Sequence, residues 1–532
     1  MGGSSSTPQI SHEQQELESL ATSTGALSIL QKAFEKLSDP LSKSIPLKSL
    51  RECFHLSIGD PISETSLVPD CFPKLLLDLG PSIVDLYFVA DKEEVDWIQF
   101  LRGYIKCCGR VPTSESINNM CRLYAATSTK AGFPTKIEFE SEDTDCKISG
   151  YFTSSEVLMF LWICWIMSQS SEKASRGKVE LEIPDTNHLL LSAVTSCSED
   201  VKDLNIWDCS PSDLKVQLPA QKLHMWILST IPSISHCLVQ YLNARLHRCA
   251  ALEDDMDLSS LAISVTESPN KQLLTCGRAW SVSLTLRGTL SEEILKACIP
   301  EKVDETSHNL LYQSTLHGRG LNRFWSNVEG YNGPILILVS ASSKIDDGTS
   351  TIGKWVIGIL TGQGFENKDV FYGSSGYLYA ISPVFHAFPH HGKDKNFVYS
   401  HLHISGRVYD PHPKPVGIGF GGSIGNERIS IDEDFSKVTI RHHAVDKTYQ
   451  SGPLIPNQGF LPLEAPILDV EVWGLSGEMA KKEQNAYKNR EQLFTDQRRK
   501  VDLKTFGNWE DSPEKMMMDM VSDPNRVRRE ER

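Results

Sequence analysis

The stretch VGIGFGGSIGNERISIDEDF, residues 416–435, decides how the C-terminal half of this chain is interpreted, because two catalytic patterns overlap in it. Gly417, Gly419 and Gly422 fit G-x-G-x-x-G, the pattern of dinucleotide-binding loops. Such a loop binds a pyrophosphate only where a strand leads through the glycines into a helix, whose N-terminus favours negative charge. The residues after the glycines therefore decide whether this stretch binds a nucleotide.

The second pattern is G-x-S-x-G, which Gly421, Ser423 and Gly425 fit and which presents a nucleophilic serine in α/β-hydrolases. It too requires a helix directly after the serine. Instead, Ile429 and Ile431 alternate with polar residues, which predicts a half-buried strand. We therefore interpret the glycines as places where backbones bend or approach closely. Nucleotide binding is disfavoured, and a hydrolase that uses Ser423 is kept as an alternative.

Further strands are predicted on both sides of this stretch. Each is a short run rich in β-branched and aromatic residues, and Gly, Pro, Asn or Asp separates it from the next. Strands in series without intervening helices indicate an antiparallel sheet or a sandwich, and not a doubly wound fold. The runs are ILILV at 335–339, TIGKWVIGIL at 351–360, SGYLYAIS at 375–382, NFVYSHLHIS at 396–405, KVTIR at 437–441 and ILDVEVWGL at 467–475.

Histidines are concentrated in this strand-rich part of the chain. His401 and His403 lie two apart on a predicted strand, so both imidazoles share one face, an arrangement found in Zn and Fe sites. Such a site needs a third ligand, which the sequence does not identify. We therefore predict no metal and no cofactor, and keep a metalloprotein as an alternative. The histidines in question are His386, His390, His391, His401, His403, His412, His442 and His443.

A serine–histidine–acid triad can be assembled from Ser423, either of His442 and His443, and either of Asp432 and Asp434. These residue types are common, so such a set is informative only when its geometry is known. The run IDEDF is more simply the end of a strand followed by a turn. No catalytic residue is predicted.

The part of the chain before residue 305 has a different spacing of apolar residues. From Ala26 onward, ALSILQKAFEKL and later runs have apolar residues at spacings of three and four, as amphipathic helices do. Ser-rich and acidic stretches interrupt this pattern and indicate linkers. The predicted organisation is a flexible N-terminus at 1–25, an EF-hand-like helical region at 26–167, a linker at 168–182, a second helical region at 183–250, an acidic linker with a helical segment at 251–304, the strand-rich domain at 305–477 and a charged helical tail at 478–532.

The EF-hand-like rhythm is clearest in VADKEEVDWIQFLRGYIKC, residues 89–107, which reads as an acidic loop followed by a helix. A calcium loop needs oxygen ligands at alternating positions, a central glycine and a glutamate at its twelfth position. The run from Asp91 to Asp96 supplies charge, but it has neither the glycine nor the correctly spaced glutamate. We predict a helix pair that binds no calcium.

Composition sets the broad class of this 532-residue chain. Its formal net charge is −15 and no basic stripe is visible, so direct nucleic-acid binding is not expected. All 13 cysteines lie between Cys53 and Cys298, with no C-x-x-C pair and no secretory signal, which favours reduced thiols in a cytosolic environment. The longest apolar run, VLMFLWICWIM from Val157 to Met167, is too short to cross a bilayer and predicts a buried helix.

The two ends of the chain carry possible targeting signals. MGGSSS at the start fits M-G-x-x-x-[ST], which makes Gly2 a candidate for N-myristoylation. One acyl chain anchors only weakly, and acidic residues follow it here, so a second contact with a membrane-bound partner is needed. In the tail, the run from Glu478 to Lys500 predicts a helix outside the core, and a helix that is polar all round is either weakly ordered or docks on a partner. Its DQRRKVDLK is a weak nuclear signal, and an apolar patch is formed by Met516, Met517, Met518 and Met520.

The segment from Thr306 to Leu475 resembles the TLDc domain. The resemblance rests on LLYQSTLHGRGLNRFWSNVEGYNGPILILV, YGSSGYLYAISP, the glycine cluster with the strand and acidic turn after it, and the closing ILDVEVWGL. With the N-terminal signal, the helical region and the tail, the whole chain is most similar to plant TLD-domain nucleolar proteins. The residues that carry the family motifs are Gly330, Gly333, Pro334, Gly373, Gly421, Gly422, Glu471 and Trp473.

This resemblance implies an α+β chain in which a two-sheet antiparallel β-sandwich with flanking helices follows an all-helical region. It also implies a role in oxidation resistance and, as in several members, binding to the vacuolar-type proton ATPase (V-ATPase). No cysteine follows Cys298, so a thiol inside the TLDc segment cannot carry a redox role.

We therefore predict a non-enzymatic interaction protein, cytoplasmic and peripheral on an endomembrane. Besides the hydrolase and metalloprotein alternatives, a nuclear or nucleolar scaffold is a third hypothesis.

Overall fold

The computed structural model describes residues 11–56, 68–89, 93–141, 143, 145–169, 180–198, 205–207, 209, 214–251, 262–264, 272–298, 309–344, 352–402, 413–507, 515 and 517. Some predicted features lie outside these residues. They are the MGGSSS signal with Gly2, most of the linker at 168–182, Asp91 of the acidic loop, His403, His412, Met516, Met518 and Met520.

Helices dominate the first part of the described chain. In chain order they are α1 (His12–Ser23), α2 (Leu27–Leu37), α3 (Leu47–Cys53), α4 (Phe72–Tyr87), α5 (Trp97–Cys108), α6 (Thr113–Lys130), α7 (Ser154–Gln169), α8 (Asn187–Cys197), α9 (Ala220–Thr230), α10 (Cys237–Ala251), α11 (Cys276–Ser283), α12 (Thr289–Cys298), α13 (Ser314–His317), α14 (Leu321–Val328) and α15 (Gly477–Gly507), with a 3-10 helix at Pro232–His236.

Short strands accompany the helices, and longer strands form the C-terminal part. They are β1 (Ile45–Pro46), β2 (Glu94–Val95), β3 (Lys136–Phe139), β4 (Ile148–Thr153), β5 (Glu180–Glu182), β6 (Gln217–Pro219), β7 (Ala262–Ser264), β8 (Leu310–Gln313), β9 (Ile335–Lys344), β10 (Ile352–Thr361), β11 (Lys368–Tyr372), β12 (Gly376–Ser382), β13 (His386–Pro389), β14 (Val398–His401), β15 (Gly417–Ser423), β16 (Asn426–Ile431), β17 (Lys437–Ile440) and β18 (Leu463–Gly474).

Two helix–loop–helix units, α2–α3 and α4–α5, lie near the start of the described chain. Their loops pair through β1 and β2, with Ile45 opposite Val95. The carboxylate of Asp96 accepts the amide of Gln99 at 2.7 Å and so caps α5. The first amides of a helix have no hydrogen-bond partner inside it. One carboxylate of the loop therefore accepts a hydrogen bond from such an amide. A helix pair that binds no calcium stays a prediction.

The apolar run Val157–Met167 forms most of α7, and the prediction of a buried helix there is confirmed. Its side chains are apolar on every side and almost all are buried, as expected for a helix enclosed by others. Trp165 packs edge-on against Trp280 of α11, with ring centroids 5.6 Å apart. In the described part of the chain, no helix is both long and apolar enough to cross a membrane.

The predicted two-sheet sandwich is replaced by one curled antiparallel sheet of eleven strands. The strand order is β11-β14-β15-β16-β17-β18-β9-β10-β12-β13, and β8 adds to β18. The strands form one continuous sheet because β18 pairs with two neighbours in turn. It pairs first with β17 through Leu463–Pro466 and then with β9 through Ile467–Gly474. Its register shifts between Ile467 and Asp469, and such irregularities bend a strand. The sheet folds over itself at this point and does not split into two.

The sheet has apolar side chains on both faces because both faces are covered. On β9, Ile337 and Val339 point into the core enclosed by the curled sheet, while Leu336 and Leu338 belong to the core shared with the helices. Successive strand residues face opposite sides, so a continuous apolar run is what a doubly covered strand requires. The helices before residue 300 therefore pack on the outer face of the sheet.

Two short described segments of the predicted linkers are strands. Within 168–182 and 251–304, the described segments β5 and β7 pair with each other as parallel strands. The helical regions contact the sheet directly. The amide of Phe385 donates to the carbonyl of His188 at 3.1 Å, and the hydroxyls of Thr285 and Tyr379 lie 3.0 Å apart.

Candidate functional site

The closing strand β18 carries a fully buried carboxylate, Glu471, that reaches out of the sheet to the helical region. It accepts the backbone amides of Leu273 and Leu274, just before α11, at 2.6 and 3.1 Å. The indole N–H of Trp473 donates to the same carboxylate at 3.0 Å. One side chain thus satisfies donors from a segment 198 residues earlier in the chain. We call this group of contacts the Glu471 latch.

Burial raises the pKa of Glu471 above its ordinary value, since the charged form loses its hydration. The amide of Leu273, the indole of Trp473 and the amide of Leu274 act in the opposite direction by donating to the carboxylate. Arg278 stabilises the same segment, because its guanidinium donates to the carbonyl of Leu273 at 2.9 Å. A buried carboxylate with this many donors holds two parts of a chain together.

A second buried carboxylate, Asp469, lies two residues before Glu471 on the same face of β18. It accepts the hydroxyl of Ser314 at 2.6 Å and the amide of Thr315 at 3.2 Å, both at the start of α13. The side-chain amide of Gln313 donates to Asp469 at 3.1 Å and lies 3.4 Å from Glu471. The two acids of the ILDVEVW motif therefore join β18 to β8, α13 and the helical region.

The tail helix α15 begins beside this end of β18. The amide of Leu475 donates to the carbonyl of Pro334 at 2.9 Å, and the amide of Ser476 donates to the Tyr331 hydroxyl at 2.8 Å. A side chain at Gly333 would collide with Ser476, whose hydroxyl lies 2.1 Å from the position of its Cβ. Close contact at this point explains why glycine occupies position 333.

The first part of α15 docks on the turn between α14 and β9. The side-chain amide of Gln484, fully buried, donates to the carbonyls of Asn327 and Glu329 at 2.8 and 3.1 Å. Lys488 donates to the carbonyl of Asn327 at 2.8 Å as well. Tyr487 packs over Gly330, where a Cβ would lie only 2.4 Å from the ring and where the backbone has a φ of +80°. The tail was predicted to lie outside the core, but this part of it is seated on the domain.

Beyond Lys488 the helix leaves the domain. The side chains of Leu493 and Phe494, which lie next to each other in the chain, are 63% and 53% exposed. The guanidinium of Arg498 lies 4.8 Å from the Phe494 ring centroid, within the range of a cation–π contact. We call residues 489–499 the projecting segment of the tail.

The remaining motif glycines lie at the other end of the sheet. Gly373 has a φ of +117° and packs against Phe397, where an added Cβ would lie 2.8 Å from the Phe397 side chain. Gly421 and Gly422 have φ values of +69° and +73°, the left-handed region that favours glycine. A Cβ on Gly422 would lie 2.2 Å from the carbonyl oxygen of Asn426. The interpretation of this cluster as a place of bending and close approach is confirmed at these positions.

The residues after the cluster form β16, so the prediction of a strand there is confirmed. Ser423 lies at the end of β15, opposite Asn426 in a tight hairpin, and its side chain is exposed. A nucleophile elbow requires a helix at this point, which the hairpin replaces. Asp432 instead accepts the amide of Ser436 at 2.8 Å in the next turn.

Sequence reasoning missed the buried ion pair beneath the glycine cluster. Arg428 and Asp446 are joined at 2.8 Å with both side chains fully buried. The guanidinium also donates to the carbonyls of Gln450 and Gly452 at 2.6 and 2.8 Å, and it lies over the ring of Phe388. Gly421 lies against this arginine, since a Cβ added at Gly421 would be 3.3 Å from the Cβ of Arg428. Polar residues occupy four of the six positions of NERISI, so nothing in this stretch marks Arg428 as buried.

The described histidines are dispersed among separate contacts. His390 donates to the carbonyl of Thr448 across 2.8 Å, His442 stacks on Phe460, and His386 contacts Phe388. His443 lies beside Gly422. Among the residues with described positions, no group of three or more His, Cys, Asp or Glu side chains is placed to hold a metal ion.

Comparison with known families identifies part of the chain. Residues 289–476 match the TLDc domain, about a third of the length. The match begins at α12, earlier than the predicted boundary at residue 305, and it ends just before α15. No curated protein matches the chain. Residues 289–476 are therefore a TLDc domain, set between a helical region that covers its sheet and a helix that leaves it.

Proposed function

We propose that this chain is a non-enzymatic interaction protein whose TLDc domain and tail helix bind the cytosolic part of the V-ATPase or a related endomembrane complex. TLDc domains are generally linked to oxidation resistance and to regulatory roles. The partner is proposed from the resemblance, and the structure of α15 supports a way in which this chain contacts it.

The observation that carries the proposal is the change in exposure along α15. Its first part is fixed to the domain by Gln484 and Lys488, while Leu493 and Phe494 are more than half exposed. An apolar pair on a solvated helix costs free energy unless another surface covers it. Because the docked part holds the helix in place, a partner does not have to immobilise the whole tail when it binds.

Two contacts joined in this way strengthen each other. When the sheet of the TLDc domain touches a partner, the projecting segment is held nearby at a high effective concentration. Two individually weak contacts then give overall binding stronger by roughly a hundredfold or more. The domain and the tail are therefore proposed to act as one two-point binding unit.

The test is co-precipitation of assembled V-ATPase with full-length protein. The variant Leu493→Ser/Phe494→Ser removes the apolar pair, and Leu41→Ser/Val89→Ser is its control, since those side chains are 95% and 67% exposed in the helical region. We expect the tail variant to lose most of the captured pump and the control to retain it. Equal capture by all three proteins would exclude the projecting segment as a contact, and no capture by wild type would exclude this pump as the partner.

The proposed localisation is cytoplasmic and peripheral on an endomembrane, with the N-myristoyl group at Gly2 as a third, reversible contact. A single acyl chain binds membranes marginally, so a large soluble pool is expected in wild type. Gly2→Ala should reduce the membrane fraction further in cell fractionation, with Gly3→Ala as the matched control. Identical fractionation of the two variants would argue against lipidation.

A further inference from the structure

Two cysteines of the helical region face each other across a short gap. Cys53 ends α3 and Cys249 lies near the end of α10, 196 residues later in the chain. Their sulfur atoms are 2.7 Å apart, and both side chains are half-buried. A disulfide bond is about 2.05 Å long, so only a small movement separates these thiols from bonding distance.

The two thiols of the pair have pKa values shifted in opposite directions. The thiol of Cys53 and the cations of Arg245, Arg248 and Lys36 lower the pKa of Cys249, against the opposing effect of burial. The pKa of Cys53 is raised, first by its hydrogen bond to Cys249 and then by burial. Of the two thiols, Cys249 therefore ionises more readily, and the thiolate is the reactive form of cysteine.

We propose that Cys53 and Cys249 are a redox modification site that forms a reversible disulfide on reaction with a peroxide. The Cys249 thiolate attacks one peroxide oxygen, the O–O bond breaks, and a sulfenic acid forms while the other oxygen leaves as hydroxide and becomes water. The sulfur of Cys53 then attacks the sulfenyl sulfur of Cys249. The S–S bond forms as the S–O bond breaks, and the hydroxyl leaves as water with the Cys53 proton. Two thiols are oxidised and one peroxide is reduced to two waters.

A second thiol pair in the same region provides the internal comparison. Cys164 and Cys237 are also hydrogen-bonded to each other, but both are almost completely buried. Burial is the main cause that raises the pKa of Cys164, and it also keeps a peroxide from reaching either sulfur. Proximity is common to the two pairs, whereas exposure and positive charge are found only at Cys53 and Cys249.

The disulfide would link α3 to α10 at a point where these two parts of the chain are already in contact. Next to the pair, the hydroxyl of Tyr241 in α10 donates to the carbonyl of Phe54 at 2.6 Å, and both residues are buried. The segments that carry the two cysteines are therefore already held together close to the pair. Closing so long a segment of chain restricts the unfolded state, so the oxidised protein should also melt at a higher temperature. This inference is independent of the proposed pump binding.

The experiment is disulfide mapping of full-length wild-type protein. Protein freshly reduced with dithiothreitol is desalted, treated with hydrogen peroxide, alkylated and digested without reductant. We expect one linked peptide pair that contains Cys53 and Cys249, lighter by two hydrogens than the two peptides together, and lost again on reduction. Cys164 and Cys237 should remain thiols and be alkylated after unfolding.

Single cysteine variants show which of the two thiols reacts with the peroxide first. Cys53→Ser should leave Cys249 as a sulfenic acid, which dimedone traps, whereas Cys249→Ser should abolish dimedone labelling of Cys53. Recovery of both cysteines as thiols in peroxide-treated wild type would overturn the proposal, and so would oxidation of Cys249 to the sulfinic acid without a linked peptide. Preferential linkage of Cys164 to Cys237 would show that exposure and charge do not govern the reaction.

Discussion

The helical region and the tail helix both attach to the end of β18, but the two attachments differ in how many of their contacts are buried. The helical region is held by apolar packing against Leu336 and Leu338 and by the Glu471 latch, where every partner is inside the protein. The tail is held by Gln484 and its neighbours, and α15 then continues into solvent. The first attachment is built as part of the core, while the second has limited contacts and is suited to being shared with a partner.

Removing the carboxylate of the Glu471 latch should have the largest effect on the free energy of unfolding. Glu471→Ala leaves the amides of Leu273 and Leu274 and the indole of Trp473 without their acceptor. Each buried unsatisfied donor costs about 1–3 kcal/mol, so we expect a loss of about 3 kcal/mol or more in the free energy of unfolding. Denaturant titration measures it. Glu464→Ala on the same strand, where the carboxylate is 59% exposed, is the control and should change stability little.

Acid should weaken the first attachment through His188. Burial lowers the pKa of this histidine from 6.5 to about 4, and its side chain contacts Phe385 of the sheet. Between pH 7 and pH 5 the unfolded chain therefore takes up a proton that the folded chain does not, and stability falls as pH falls. The loss is about 2 kcal/mol at pH 5.

The measurement is the difference in unfolding free energy between pH 7 and pH 5 for wild type and His188→Leu. Other histidines titrate in both proteins, so only the difference between the two pH dependences belongs to His188. The variant should lose less stability on acidification than wild type. Parallel curves would mean that His188 is protonated equally in the folded and unfolded chains.

Weakening the second attachment should release the tail without unfolding the domain. Gln484→Ala removes two buried hydrogen bonds, at an expected cost of about 1–2 kcal/mol confined to α15. Amides of residues 477–488 should exchange with deuterium faster, while those of the sheet remain protected. Gln492→Ala, at an exposed position of the same helix, is the control. Faster exchange throughout the sheet would show that the tail is an integral part of the core.

The smallest effect on stability is expected in the projecting segment. Leu493→Ser/Phe494→Ser removes side chains that are already more than half exposed, so the free energy of unfolding should change by no more than about 0.5 kcal/mol. The melting temperature of this variant should therefore match that of wild type. A large decrease would indicate that these side chains are covered within the protein itself.

The sequence predicts the local features of this fold well, because they depend on short periodicities. The alternation at Ile429 and Ile431 predicts β16, and the apolar run Val157–Met167 predicts α7. The glycines of the cluster are recognised because the residues after them exclude a helix. Each of these inferences uses neighbours within one element.

The long-range features are not encoded in this way. Nothing near Glu471 indicates that its partners are the amides of Leu273 and Leu274, which lie 198 and 197 residues earlier in the chain. The curl of the sheet depends on β18 changing its partner midway, and its length of 12 residues is the only local sign of this. The apolar surface of the helical region covers one face of the sheet, and no short periodicity in either part of the sequence indicates that contact.

Hydrogen exchange of the full-length protein, followed by mass spectrometry, tests the difference between the two attachments most directly. Peptides that contain Leu273 and Leu274 should exchange slowly, since both amides donate to the buried carboxylate of Glu471. Along α15, protection should be intermediate for residues 477–488 and lowest for residues 489–499. Uniform strong protection along the whole tail, or exchange at Leu273 and Leu274 as fast as in the projecting segment, would contradict the account.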